Sequence, residues 1–233
     1  MQSPPVYNTY AVDKKILYMY TISMTTIIDN LNWRYATKTF DVSKELDATE
    51  LEQIVEAGRL AATAYGLQPF NIIVVTDMAE KQALVPHAYG QTHVADNGAL
   101  VVLAARTDID AAFISAYTAL IETTRGLPVG TVDGFKDMMI GDLTNRTPEA
   151  RLVWAQKQAY IALGTMMTAA SKFHVDNHAI EGFDPAAFNE VLGLDAKHLH
   201  ATVLLTLGHR ADSDETQHYA KVRRSAADMI VQL

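Results

Sequence analysis

The sequence predicts an α+β fold with a small central sheet and more helices than strands. Three apolar, β-branched runs have strand length, and the helical segments around them follow an irregular order without the βαβ alternation of a doubly wound parallel sheet. The composition supplies enough core for this. The chain has 233 residues, 49% of them hydrophobic and 20% charged, with 12 Gly and 7 Pro, which suits an ordinary packed domain and argues against disorder.

Residues 1–23 read unlike the rest. Pro4-Pro5 and a Tyr-rich stretch lead to a short apolar run, Ile16 to Ile22, far too short to span a bilayer. Tyr18, Tyr20 and Thr21 interrupt it and no clear small-x-small cleavage site follows, so a secretory signal is not expected. Residues 1–23 are therefore an expected extension outside the fold. Residues 24–233, which contain no linker, low-complexity tract or repeat, form the expected single domain.

Thr25 to Asn32 has the length of a short helix. Asp47 to Leu60 is a clearer one, with Leu51, Ile54 and Val55 at helical spacing behind an acidic first turn. The runs Asn71 to Thr76, Leu100 to Ala104 and Ala201 to Leu207 carry few polar residues, so each is expected to be a buried central strand. Asp110 to Thr124 reads as a helix. Pro148 to Phe173 is a long one, opened by Thr147-Pro148-Glu149 as an N-cap with Pro at the first helical position. Its stretch Ala159 to Ala170 is apolar on every side, which predicts enclosure at the domain centre or in a subunit interface. Asp184 to Leu192 closes the series as a short helix.

Composition and missing motifs narrow the chemistry. Nineteen Lys and Arg against 27 Asp and Glu give a net charge of −8, and such a surface repels phosphate backbones, so no nucleic acid is expected as a partner. No membrane is expected either. The absence of Cys removes disulfides, thiolate metal sites and cysteine nucleophiles, and is consistent with a reducing cytoplasm. The chain holds no G-x-S-x-G, G-x-x-x-x-G-K-[ST] or G-x-G-x-x-G, so a bound nucleotide must be held by other means. His174 with His178, and His198 with His200, have spacings that can bring two imidazoles together, but neither pair has a third ligand nearby. No metal site is predicted.

What remains is a set of cations in an acidic chain. Arg34 and Lys38 follow the first helix, and Lys221, Arg223 and Arg224 lie near the C-terminus. Two clusters can grip one phosphate from both ends of the chain without a glycine loop; solvated surface charge is the competing reading. The small, polar loop Thr63 to Phe70 can bring backbone and Gln amide groups to a planar heterocycle, or serve only as a helix-to-strand turn.

An ordered set of segments resembles the FMN-dependent nitroreductase family, most closely its oxygen-insensitive NAD(P)H nitroreductase and dihydropteridine reductase branch. The set is Arg34-Tyr35-Ala36-Thr37-Lys38 with Phe40-Asp41, Tyr65-Gly66-Leu67-Gln68-Pro69-Phe70, Ile180-Glu181-Gly182-Phe183-Asp184, Leu207-Gly208-His209, and Lys221-Val222-Arg223. The resemblance covers Met24 to the C-terminus. It implies a mainly antiparallel sheet flanked by helices, in an intertwined homodimer with two FMN sites at the subunit interface. It also implies ping-pong hydride transfer from NADH or NADPH through flavin N5 to a nitroaromatic, quinone or pterin-type acceptor, with no side chain as acid or base. Relatives with other flavin chemistry, such as dehalogenation or flavin breakdown, and a non-catalytic flavin-binding dimer are the alternatives.

By the same resemblance, Arg34, Tyr35, Ala36 and Lys38 form the early phosphate-and-flavin motif, Lys221 and Arg223 the late phosphate pair, and Gln68 lies alongside the flavin ring. Glu181 and Gly182 match the loop whose N–H groups face flavin N5 and O4, and Gln91 the amide at the pyrimidine edge. Phe135 and Tyr65 would line the acceptor pocket, though by pattern alone Phe135 reads equally as core. Three departures stand out: Ala36 replaces a family Ser, Ala179 replaces a Pro before Ile-Glu-Gly, and Gly90 to His93 keeps only Gln91 as an amide donor.

Overall fold

The computed structural model describes residues 26–233, so the expected extension, residues 1–23, lies outside the described residues. Helix α1 (Ile27–Trp33) begins with a capping box in which the Thr26 hydroxyl accepts from the Asp29 N–H and the Asp29 carboxylate accepts from Thr26. Asp47 caps α2 (Ala48–Arg59) through the N–H groups of Thr49 and Glu50. Strand β1 (Phe70–Val75) follows, then α3 (Met78–Leu84), capped by Asp77, and β2 (Ala99–Arg106). Helix α4 (Ala111–Arg125) ends at Gly126 in the left-handed conformation.

Helix α5 (Asp133–Thr144) has no capping side chain of its own; Glu122 of α4 instead accepts from the Val132 N–H at 3.1 Å. Thr147 and Pro148 start α6 (Pro148–Lys172), as the sequence predicts. Strand β3 (Asp176–Ile180), α7 (Pro185–Leu192), β4 (Leu199–Gly208) and the one-turn α8 (Ala226–Met229) complete the chain.

The four strands form one antiparallel sheet in the order β1-β2-β4-β3. Helices cover both of its faces, which gives the α+β architecture that the sequence predicts. Val101, Leu103, Val203 and Leu205 point to one side and pack with Ile54 of α2 and Ala159, Leu163 and Met166 of α6. Leu100, Val102, Ala104 and Leu204 point to the other, against Leu84 of α3 and Phe188 of α7. Alternation therefore vanishes from β2 and β4, although the sheet is antiparallel, because neither face meets water. A third cluster, Ile114, Met139, Leu143 and Ala155, joins α4, α5 and the start of α6. Among the described residues no helix is long and apolar enough to cross a membrane.

One expectation needs correction. The run Asn71 to Thr76 is an edge strand, not a central one, and Val74 is 39% exposed. It reads as central because Ile72 and Ile73 pack under helices on opposite faces, so the partial cover leaves an apolar run. The Ala159 to Ala170 stretch buries Ala159, Ala162, Leu163 and Met166 at the domain centre, and its other side, with Tyr160 and Ile161 38% and 46% exposed in the single chain, is the part to which the interface alternative applies.

Candidate active site

The segment after α1 is held by two buried carboxylates. Asp214 accepts hydrogen bonds from the N–H groups of Lys38 (2.8 Å) and Thr39 (3.1 Å) and from the Tyr35 hydroxyl (3.1 Å), while its other oxygen accepts from the Thr216 N–H and hydroxyl. Burial pushes this carboxyl up, but the donors from Thr216, Lys38 and Thr39 outweigh it and hold it at about 2. Asp176, at the start of β3, pairs with Arg210, whose guanidinium lies between the rings of Trp33 (4.4 Å) and Tyr35 (4.6 Å). A bridge between Ala36 and Asn177 then lays the segment beside β3.

This scaffold gathers four cations. Lys221 donates from Nζ to the carbonyls of Leu31 (2.7 Å) and Arg34, and so ties the C-terminal segment to the end of α1. Burial lowers the Arg34 guanidinium pKa, and Arg223 lowers it further by repulsion; burial, Arg34 and Arg223 do the same to Lys221. Lys38 reaches from the same segment to His178 of β3, Nζ to Nε2 3.1 Å. Among the described residues, none of Arg34, Lys38, Lys221 and Arg223 forms a salt bridge with a carboxylate. Four buried polar atoms without a hydrogen-bond partner lie in the same neighbourhood: Asn30 Oδ1, Arg34 Nε, Thr37 Oγ1 and Asn177 Oδ1. Buried polar groups are nearly always satisfied, so this concentration marks a place built to receive something. Clustered, mutually repelling cations with an open donor call for an anion.

The turn at the far end of β3 joins the same side of the molecule. Glu181 accepts from the Tyr160 hydroxyl of α6 at 2.6 Å. Gly182 is exposed; its carbonyl accepts from Gln91 Nε2 at 2.7 Å, while its N–H has no partner among the described residues. The Gln91 amide also donates to Ala88, so both its hydrogens are engaged within the chain. The donor left free here is the Gly182 N–H. Tyr35 is likewise committed, by its hydroxyl to Asp214 and its ring to Arg210, and Ala36 contributes backbone alone.

Tyr65, Gln68 and Phe135 lie elsewhere. Tyr65 and Gln68 have positive φ (61° and 49°) in the turn before β1, a conformation that side chains rarely adopt and that its surroundings must hold. The Tyr65 hydroxyl donates to Asp142 of α5 (2.9 Å), its carbonyl accepts from the Tyr117 hydroxyl (2.9 Å), and the Ala64 N–H donates to the buried Gln158 of α6. Gly66 has φ 70°, where a side chain would be strained, and a Cβ there would press on the Tyr117 hydroxyl, so the turn favours glycine. Gln68 turns its amide back to the Arg59 carbonyl. Phe135 is half-buried and meets Tyr65 edge-on, ring centroids 6.1 Å apart.

The sheet separates these two groups. Asp176 of β3 pairs with Gly208 of β4, whereas Phe70 of β1 pairs with Ala105, itself opposite His200. Three strand spacings and eight residues of strand then lie between them, roughly 30 Å along the diagonal. One chain does not bring them together.

The histidine pairs noted in the sequence are not units. His174 stacks on Trp33 (4.6 Å) and His200 lies against Asn189, whereas His178 pairs with His93. Sequence reading also misses Asp214, Asp176 and Arg210, which hold the segment that carries Arg34 and Lys38.

The nitroreductase family profile matches residues 31–209. A protein of Staphylococcus epidermidis assigned as an NAD(P)H nitroreductase is 32% identical over 216 residues, covering 88% of this chain and 96% of its own. A similarly assigned protein of Staphylococcus haemolyticus is 30% identical over 213 residues, with the same coverage of each chain. In structure, a Bacillus subtilis protein described as a nitroreductase superposes with a TM-score of 0.79 at 18% identity, covering 88% of this chain and 98% of its own. One from Exiguobacterium sibiricum, crystallised with FMN, gives 0.76 at 20% identity, covering 90% and 98%.

Proposed function

The chain belongs to the nitroreductase family, and on that premise we propose that it is an FMN-dependent NAD(P)H oxidoreductase that acts as a homodimer. Each flavin site would join the cation cluster of one copy to the Tyr65–Gln68 turn and Phe135 of the other. The observation that carries this reading is the cation cluster itself: among the described residues, Arg34, Lys38, Lys221 and Arg223 have no carboxylate partner and the buried Arg34 Nε has no acceptor.

Those residues fit FMN. Arg34, Lys221 and Arg223 would hold the dianionic phosphate by charge-assisted hydrogen bonds, which a chain of net charge −8 needs to concentrate locally. Lys38 and the Gly182 N–H would face the ring: the first puts positive charge beside developing negative charge, the second offers a fixed backbone donor. Bound FMN supplies a two-electron carrier that takes hydride from NADH or NADPH and passes it to an acceptor. The chain orients the partners and shapes the pocket. Tyr65 and Phe135 would form its aromatic wall, suited to flat, electron-poor acceptors of nitroaromatic, quinone or pterin type. The reduced nicotinamide pool of the cytoplasm would serve this reaction.

Two observations support the second copy. The halves of the site lie too far apart for one flavin to touch both within one chain. A largely apolar groove of about 670 Å³ also lies open between α1, α2 and α6, lined by Ile27, Ala57, Ile161 and Ala169 and by Asn30 with its unpartnered Oδ1.

The test is spectroscopic. Purified protein should carry the visible absorbance of oxidised flavin and bleach anaerobically with NADH or NADPH, then recover with menadione or a nitroarene. A colourless protein that takes up no FMN would refute the reading.

A further inference from the structure

Two histidines behind the cation cluster have no part in the reading above. His178 and His93 are each 8% exposed, and their rings lie 26° from parallel with centroids 4.9 Å apart. His178 Nδ1 lies 3.0 Å from His93 Nε2, and on its other side His178 Nε2 lies 3.1 Å from Lys38 Nζ. An ammonium has donors only, so His178 Nε2 accepts. A neutral His178 then carries its proton on Nδ1 and donates it to His93 Nε2, which leaves the His93 proton on Nδ1. One arrangement of protons satisfies all three groups.

The surroundings keep the pair uncharged. Lys38 and Arg34 face it from the segment after α1, Asp214 from the loop after β4, and Asp96 from the turn that holds His93. Burial, then repulsion from Lys38, His93 and Arg34, push His178 down to about 3, with Asp214 opposing. Burial and Lys38 lower His93 as well, against Asp214 and Asp96. Both imidazoles are shifted toward the neutral form, and a neutral His178 does not repel Lys38. Burial works against the Lys38 charge and Asp214 works for it, and an acceptor on Nζ adds to the second effect.

We propose that His178, held in one tautomer by His93, is a positioning residue for Lys38: a permanent hydrogen-bond acceptor that keeps the ammonium charged and directed into the flavin cleft. The proposal rests on the reading of Lys38 as a flavin contact and deepens it.

The experiment is an NMR titration of the full-length protein, labelled with ¹⁵N-histidine and ¹³C-lysine, with and without added FMN. Wild type is compared with His178→Leu, which removes the acceptor, and His178→Gln, whose amide oxygen can stand near Nε2. Wild-type His178 should show a bare Nε2 and a protonated Nδ1, unchanged between about pH 5 and 8, where free histidine titrates. Lys38 should titrate at lower pH in His178→Leu and return toward wild type in His178→Gln. FMN affinity at alkaline pH should fall about tenfold in the first variant, as expected for losing a hydrogen bond to a charged group, and recover in the second. Identical Lys38 titrations in all three proteins, or a protonated Nε2 in wild type, would overturn the proposal. A Lys38 shift with unchanged FMN affinity would instead overturn the assignment of Lys38 to the flavin, so the two failures are told apart. Should His178→Leu not fold, His93→Phe keeps the Lys38–His178 contact but takes the acceptor from the His178 Nδ1–H; a Lys38 titration and FMN affinity identical to wild type in that variant would also count against the proposal.

Discussion

The cation cluster after α1 and the Tyr65–Gln68 turn before β1 sit at opposite edges of one sheet and are built on opposite principles. At the first, carboxylates fix the backbone while, among the described residues, the cations form no salt bridge: Asp214 and Asp176 are engaged below, Lys38 and Lys221 meet only a histidine and backbone carbonyls, and Arg34 Nε has no partner. At the second, hydrogen bonds close on themselves. Tyr65 bonds Asp142, which is also held by Arg146, and Gln68 bonds Arg59, at the expense of two strained backbone residues. An open electrostatic site suits a bound anion. A closed aromatic one suits selection among uncharged rings, and on the proposed reading the contrast would separate cofactor retention from acceptor choice.

The largest effect should come from removing the support beneath the open site. Asp214→Ala takes the acceptor from two N–H groups of the motif, the Tyr35 hydroxyl and both donors of Thr216. Stability should fall by on the order of 3 kcal/mol or more in urea melts, since each stranded buried donor costs about 1–3 kcal/mol, and FMN should be lost. The same carboxyl predicts acid sensitivity. Its folded pKa, about 2, lies below the unfolded value near 3.9, so its stabilisation is complete above about pH 4 and disappears as pH falls through 2. The Ala variant should lack this step between pH 4 and 2; an identical acid profile would show that the carboxylate matters little.

Next come the cations. Arg34→Ala and Lys221→Ala should each weaken FMN about ten- to a hundredfold by equilibrium dialysis, the worth of a charge-assisted contact. Riboflavin, without the phosphate, should discriminate little between them and wild type. Lys221→Ala should also cost about 1 kcal/mol of stability through its carbonyl contacts at the end of α1. Equal losses for FMN and riboflavin would place the phosphate elsewhere.

The smallest effect belongs to the closed site. Phe135→Ala and Asp142→Asn, the latter weakening the tie to Tyr65, should shift kcat/KM among bulky acceptors by about tenfold or less while bound FMN stays constant. Flavin loss with unchanged acceptor kinetics would make Phe135 a packing residue, the other reading its pattern allows.

Much of this was legible in the chain. The Thr147-Pro148 start of α6 and the apolar runs of β2 and β4 announce themselves through local chemistry, and the ordered cationic and Gly-Leu-Gln-Pro-Phe segments point to the family. Strand β3 was not readable, because Asp176, Asn177 and His178 are polar and their partners, Arg210, Ala36, Lys38 and His93, are all distant in sequence. Gln91 and Tyr35 look like free donors in sequence and are consumed internally in the fold. Asp214 carries no pattern at all, and its role exists only once residues 35–39 fold against it. Local signals predict elements; the supports of a site come from long-range pairing.

The central claim is that cations and aromatic turn meet across two copies. It can be tested by mixing defects: one chain carries Arg34→Ala with Lys221→Ala, the other Tyr65→Ala with Gln68→Ala, and the two are co-expressed with different tags and purified through both. If each site spans two copies, a mixed dimer has one doubly damaged site and one fully intact site, so the flavin it binds sits in the intact site and kcat/KM per bound FMN for bulky acceptors should return to the wild-type value. If each site lies within one chain, the only site that holds flavin keeps the damaged turn, and kcat/KM per bound FMN equal to that of the Tyr65→Ala, Gln68→Ala parent would contradict the account.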